Sequence, residues 1–352
     1  MNALRSEEFQ RVLTTAVPDP SLQSLLRETS RSFYLTLRIL PGAVRPQIGL
    51  AYLLARATDT IADTELVPLE ARLRALADFR DRIRGASSAA LNLAGLTPGQ
   101  DSAPERALLE RCEEMLRILG GLAEEDRRLI REVLSTIISG QELDLKRFGA
   151  AHFPDLAALE TEAELDDYTY RVAGCVGEFW TRLCRAHLFP QARADDAMLL
   201  RDGIRFGKGL QLVNILRDLP ADLGKGRCYM PRQSLTAAGL TPEDLRSAGS
   251  EPRFRALYQS WLDRAAGHLQ AGWNYTNALP GGPGRLRLAC AWPILIGART
   301  LRKLRGENIL DSTRRIKITR SEVRAIVARS IVLSVWPPGW KAQFGREMSF
   351  RK

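Results

Sequence analysis

A chain of 352 residues, 45% hydrophobic and 26% charged, is long enough to bury a large core and has the make-up of a soluble globular protein. Its five cysteines are dispersed without Cys-x-x-Cys spacing and its histidines number three, which speaks against a zinc site and for reduced thiols in a cytoplasmic protein; no secretory leader and no run of 18 apolar residues is present. The net charge of +10 suits phosphorylated substrates or an anionic membrane surface, whereas no zinc-finger, RRM or basic-zipper pattern supports nucleic acid.

Apolar residues recur at helical spacing and strand-like alternation is scarce, so the expected fold class is all-α. Residues 1–20 read as a short arm ending at Pro18 and Pro20. A helix is expected from Ser21 to Leu40, stopped by Pro41-Gly42. It carries Ser30-Arg31-Ser32-Phe33, where two hydroxyls beside a guanidinium can grip a phosphate or simply face water. The run Ile48–Asp63 is apolar nearly all round, the mark of a buried helix. Asp59 and Asp63 close it four residues apart, hence on one face, and Arg56 lies three residues before Asp59.

An amphipathic helix follows over 69–84, then a loop insertion at 85–103 rich in Gly, Ser and Pro. Helices are expected over 104–119 and 124–148; Asp144 in the latter reads equally as a surface charge or a cavity residue. In Asp166–Gly177, Tyr168 and Tyr170 point to different faces. Gly174 and Gly177 each weaken an isolated helix by about 1 kcal/mol, which makes sense where another helix or a ligand comes close.

From Gly207 to Asp222, Gln211, Asn214, Asp218 and Asp222 fall within a sector about 80° wide on an otherwise apolar helix. Such a stripe is either the wet side of an amphipathic helix or a set of polar groups that needs a cation. Pro220 lies between the two aspartates and is expected to kink the axis and turn Asp222 out of the stripe. Gly224–Pro231 reads as a flexible basic loop, helices resume over 251–277 and 285–303, and another starts near Ser321-Glu322 after the basic stretch Thr313–Arg320. The end, 336–352, mixes Trp336, Trp340 and Phe344 with Lys341 and Arg346, a composition that suits peripheral contact at a membrane as well as a packed or disordered tail.

One Asp-x-x-x-Asp is expected by chance about once in such a chain, but two, each closing an apolar helix, are rarer. Oxygen donors without a Cys or His cluster suit Mg2+, which is held by a few carboxylates together with substrate phosphates. Two acid-bearing helices facing each other around Mg2+ and a diphosphate are therefore expected.

Ser30–Phe33, Arg56-Ala-Thr-Asp59-Thr-Ile-Ala-Asp63, Tyr168–Gly177 and Gln211–Asp218 with Asp222 together resemble, in order and spacing over residues 22–330, the squalene/phytoene synthase family. The resemblance implies a single-domain all-α bundle over 21–335 with a central cavity, the class I isoprenoid synthase fold. It implies head-to-head coupling of two prenyl diphosphates with Mg2+. Asp59, Asp63, Asn214, Asp218 and Asp222 become the metal-side residues, and Ser30, Arg31, Arg56, Gln211 and Arg217 hold diphosphate. Phe33 and Tyr52 line the substrate, and Tyr168 or the pyrophosphate takes the proton, with Tyr170 as the rival tyrosine. The Asp59 motif looks closer to squalene synthases, which implies two farnesyl diphosphates and NADPH, with Arg315 and Lys317 as candidates to approach the nicotinamide. The alternatives are a phytoene or dehydrosqualene synthase without NADPH and, outside the family, a non-catalytic basic helical module on a membrane. A head-to-tail synthase is disfavoured because no Asp-Asp-x-x-Asp occurs.

Overall fold

Helix accounts for nearly all the regular structure in the computed structural model, which describes residues 20–30, 33–96, 102–149, 155–281, 284–314 and 316–349. Residues 1–19 of the expected arm, Arg31, the side chain of Phe33 and Arg315 lie outside the described residues. Contacts divide the chain into two units, Met1–Glu142 and Leu143–Lys352.

The first unit contains α1 (Pro20–Ser30), α2 (Phe33–Ile39), α3 (Arg45–Asp63), α4 (Leu69–Arg84), α5 (Ala103–Glu110), α6 (Cys112–Gly120) and most of α7 (Glu124–Phe148). α3 starts with a proline in its first turn, where the missing N–H costs nothing, and buries Leu50, Leu53, Leu54, Ala57 and Ile61. α4 stops at Gly85, whose φ of 78° is the left-handed cap that glycine adopts without strain. In the expected loop insertion Leu93 and Leu96 are buried, so the described part is pinned to the core of this unit.

The second unit holds β1 (Ala157–Ala158), α8 (Glu162–Thr169), a π-helical turn (Tyr170–Gly174), α9 (Cys175–Leu188), α10 (Asp196–Gly224), β2 (Arg227–Cys228), α11 (Arg232–Ala237), α12 (Glu251–Ala278), α13 (Arg285–Gly306), α14 (Arg320–Leu333), α15 (Pro337–Lys341) and α16 (Gln343–Met348). Its core is built around α10, α12 and α13 from residues such as Leu216, Leu262, Leu269, Ile294 and Leu301. The end of the chain joins it: Trp340 and Phe344 are buried, and Trp340 stacks on Trp273 at 5.3 Å.

Two expectations fail here for physical reasons. Residues 226–230 are not a flexible loop: β2 pairs in parallel with β1, and Cys228, Tyr229 and Met230 are all buried. Nor does Pro220 turn Asp222 off its helix, because α10 continues through Pro220 to Gly224. A proline here leaves the carbonyl of Leu216 without its helical donor, and the buried hydroxyl of Tyr258 donates to that oxygen at 3.0 Å. Tyr258→Phe is accordingly expected to cost about 1–3 kcal/mol in urea denaturation, the penalty for a buried acceptor left unmet; an unchanged midpoint would refute this account of the proline.

Candidate active site

In the first unit the site residues stand at the end of α3. Asp59 is surrounded by protein yet 47% exposed, and Arg56 lies 4.0 Å from it while also pairing with Glu105. Gln141, on α7, donates its amide to Asp59 Oδ1 at 2.5 Å. Asp63, one turn on, is exposed. Loss of hydration and the charge of Asp63 push the Asp59 carboxyl up to about 6, against the pull of Arg56 and Gln141. The Tyr52 hydroxyl donates to the carbonyl of Thr29 at 3.2 Å. Ser30 is buried and donates its proton to the carbonyl of Leu26 at 2.5 Å, so it would have to turn to hold a phosphate.

In the second unit α10 carries the other set. Arg217 forks onto Asp218 through Nε at 2.9 Å and Nη2 at 2.5 Å. Asn214, which is exposed, donates to Gln211 Oε1 at 3.4 Å. Asp222 is pushed up to about 7 by desolvation first and by Asp218 next; Arg227 and Lys225 oppose the shift and Asp144 adds to it.

Tyr168 is buried, its ring stacked on Tyr229 at 5.0 Å with the hydroxyls 3.5 Å apart. Tyr229 in turn donates to Asp144 at 2.9 and 3.0 Å from its two oxygens, and Arg227 stands 3.9 Å from the same carboxylate. Tyr170 belongs elsewhere: it donates to Glu178 at 3.0 Å, and burial followed by that carboxylate pushes it up to about 12. The π-helical turn between Tyr168 and Gly177 offsets the two flanking helices, a feature common at functional sites.

Gln141, Tyr229 and Arg227 are thus candidate-site residues that sequence reasoning did not select, and Asp144, which it left open, joins them. Gln141 and Asp144 share a face of α7 by their spacing of three, which was a usable signal. For Tyr229 there was none, since its burial depends on pairing with Ala157–Ala158, 70 residues earlier.

Magnesium fits these donors. They are hard oxygens, and the buried Gln141 Oε1 beside Asp59 finds no hydrogen-bond donor among the described residues, a deficit that a hydrated cation's waters would fill. Among the described residues no three His, Cys, Asp or Glu side chains gather, and an ion held by the aspartate pairs would take its remaining oxygens from water and phosphate. Among the described residues no strand leads into a glycine-rich turn and helix, so a nicotinamide dinucleotide would not be held here in the Rossmann manner.

The raised carboxyls carry a signed consequence. Between the ordinary carboxylate range of about 4 and the folded values of about 6 and about 7, the folded protein holds protons that the unfolded chain has released. Raising the pH through that window therefore destabilises the metal-free fold, and a bound divalent cation removes the cost. Millimolar Mg2+ is expected to raise the melting temperature by about 3 °C or more at roughly pH 8 and by far less at roughly pH 5. Equal shifts at both pH values would contradict it.

The family model for squalene/phytoene synthase matches residues 26–322. The presqualene diphosphate synthase of Rhodopseudomonas palustris is 32% identical over 265 residues, covering 75% of this chain and 81% of the relative. The bifunctional lycopene cyclase/phytoene synthase of Gibberella fujikuroi is 30% identical over 86% of this chain, which spans about half (51%) of that longer protein. In fold, the solved complex of TcSQS with the ligand E5700 superposes with a TM-score of 0.74 at 21% identity, covering 93% of this chain and 90% of that one. The all-α architecture, the match across most of the chain and the two Asp-x-x-x-Asp helices make this protein a prenyltransferase of the squalene/phytoene synthase family.

Proposed function

We propose that the protein joins two farnesyl diphosphates head to head into a cyclopropyl diphosphate, the intermediate on the way to squalene. One observation carries the reading: each aspartate pair closes or lines an apolar helix, has an arginine held against it, and contains a carboxyl raised by desolvation and then by its neighbour's charge. Sites built this way bind cations and, through them, diphosphates. The presqualene diphosphate synthase relative supports this choice within the family.

When bound, magnesium supplies positive charge to the departing diphosphate. Arg56 and Arg217 each stand beside an aspartate of their own helix and would donate to diphosphate oxygens, with Gln211 and Asn214 as further donors along α10. The allylic cation is attacked by the alkene of the second prenyl chain, and closing the ring releases one proton. The pyrophosphate accepts it, or Tyr168 Oη does while its own proton passes through Tyr229 to the Asp144 carboxylate. Tyr229 and Asp144 orient the Tyr168 hydroxyl, so Tyr229→Phe is expected to lower kcat about a hundredfold with KM little changed, the lower end of the usual range for proton-transfer groups. A loss confined to KM would place Tyr229 in binding instead.

Reduction by NADPH in a second step gives squalene, the product favoured by the Asp59 motif; without it a conjugated triene forms, the outcome favoured by the phytoene synthase relative. Purified protein incubated with farnesyl or geranylgeranyl diphosphate and Mg2+, with and without NADPH, separates these. The proposal expects the C30 cyclopropyl diphosphate from farnesyl diphosphate, passing to squalene when NADPH is added. A C40 hydrocarbon made only from the longer substrate overturns it.

A further inference from the structure

α14 is apolar on two sides. One side faces the core, where Ile326 is 2% exposed and the buried Ser330 accepts from Trp292 Nε1 at 2.8 Å. On the other side Ala328, Ile331 and Val332 recur at helical spacing and continue past the helix end into Val335 and Trp336. Ile331, Val332, Val335 and Trp336 are 49%, 69%, 83% and 58% exposed, four of the seven large hydrophobics exposed among the described residues. Single exposed apolar residues need no explanation, but a contiguous patch does.

The patch is also rigid. Trp340 anchors the following turn on Trp273 and Asn277, its backbone N–H bonds the Trp336 carbonyl at 2.9 Å, and the Trp336 ring covers Gly339 so closely that a Cβ there would lie 2.1 Å from Cε3.

Charge identifies what covers it. Residues 312–352 contain ten Lys or Arg and two Glu, a net +8 out of the chain's +10. Both glutamates are engaged inward: Glu322 caps α14 and pairs with Arg299 and Lys303, and the buried Glu347 pairs with Arg299 and Arg329. Arg320 and Arg324 on α14 itself, and Lys341 and Arg346 on the two short helices after it, are exposed. A second copy of this chain would bring the same positive charge against it, whereas an anionic bilayer brings the opposite charge and an apolar layer for Val332, Val335 and Trp336. No helix among the described residues is long and apolar enough to cross a membrane.

We infer that the outer side of α14 and the Val335-Trp336 turn are the surface by which this protein docks, peripherally, on anionic phospholipid membranes. The inference does not depend on which prenyl product the enzyme makes. Its test is co-sedimentation of the full chain with vesicles of phosphatidylcholine alone or of phosphatidylcholine and phosphatidylglycerol in equal parts. At about 0.1 M salt, binding to the anionic vesicles is expected to exceed binding to the neutral ones at least tenfold, and to collapse near 1 M salt. V332E/V335E should lower it at least tenfold with an unchanged melting temperature and unchanged turnover of detergent-dispersed substrate, and R324E should lower it less. Leu66→Glu, at an exposed apolar site in the other unit, should leave it unchanged. Absence of binding to either vesicle overturns the inference, as does full binding by V332E/V335E or equal loss in Leu66→Glu. So does a dimer that V332E/V335E converts to monomer without change in vesicle binding.

Discussion

Asp59→Asn is expected to lower turnover about a thousandfold, at the upper end of what removal of one electrostatic contact costs, while leaving the fold at least as stable as before. The two halves of this prediction come from the same charge. The carboxyl of Asp59 is held up near 6 by desolvation and by Asp63, so replacing it with a neutral amide of the same shape removes repulsion from the metal-free protein. The amide oxygen still accepts from Gln141, so the local packing is kept. What disappears is the negative charge that a divalent ion requires. Asp218→Asn is expected to behave alike in turnover, but with a smaller gain in stability, because Asp218 already has Arg217 forked onto it. Steady-state kinetics alongside thermal melts checks both. A mutant that loses stability and activity together would mean that the aspartate holds the fold rather than the ligand.

The second large effect is structural. α9 and the π-helical turn cross α10 backbone against backbone: a Cβ on Gly177 would lie 1.9 Å from the Gly203 carbonyl oxygen, and one on Gly207 would lie 2.1 Å from the Ala173 carbonyl oxygen. No rotamer change relieves a clash with main chain. Gly177→Ala and Gly207→Ala are therefore each expected to cost about 3 kcal/mol or more, beyond the ordinary penalty for overpacking. They also push the Tyr168 segment away from α10, so activity should fall with stability. Gly267 in α12 provides the contrast, since a Cβ added there would meet nothing within 4 Å. Gly267→Ala is expected to stabilise by about 0.4–1 kcal/mol through the unfolded chain's entropy. Urea denaturation of the three variants decides it; similar midpoints for all would show that the helices separate at little cost.

These cases also show how far the residues themselves announce the structure. Helix positions were legible wherever burial repeats along the chain, as in α3 with its apolar run from Ile48 to Ile61. The close approach behind Gly174 and Gly177 was legible as well, because helical glycines are costly without a neighbour that needs the space. Pro220 misled, because its effect depends on whether a distant donor meets the Leu216 carbonyl, and Tyr258, 42 residues on, does so. Tyr229 was hidden for the same reason: a stretch bounded by glycine and proline and carrying basic residues reads as loop until a remote segment pairs with it. Local pattern reports a helix and its faces, while the partners that bury an irregular stretch come from far along the chain.

Central to the account is the claim that the aspartates of α3 and α10 hold diphosphate through magnesium. Calorimetric titration of inorganic pyrophosphate into the full chain tests it without turnover. The account predicts binding that requires Mg2+, weakens as the pH falls below the values of about 6 and about 7 at which Asp59 and Asp222 protonate, and is lost in both Asp59→Asn and Asp218→Asn. Pyrophosphate binding of equal strength without Mg2+, or undiminished in both variants, would contradict it.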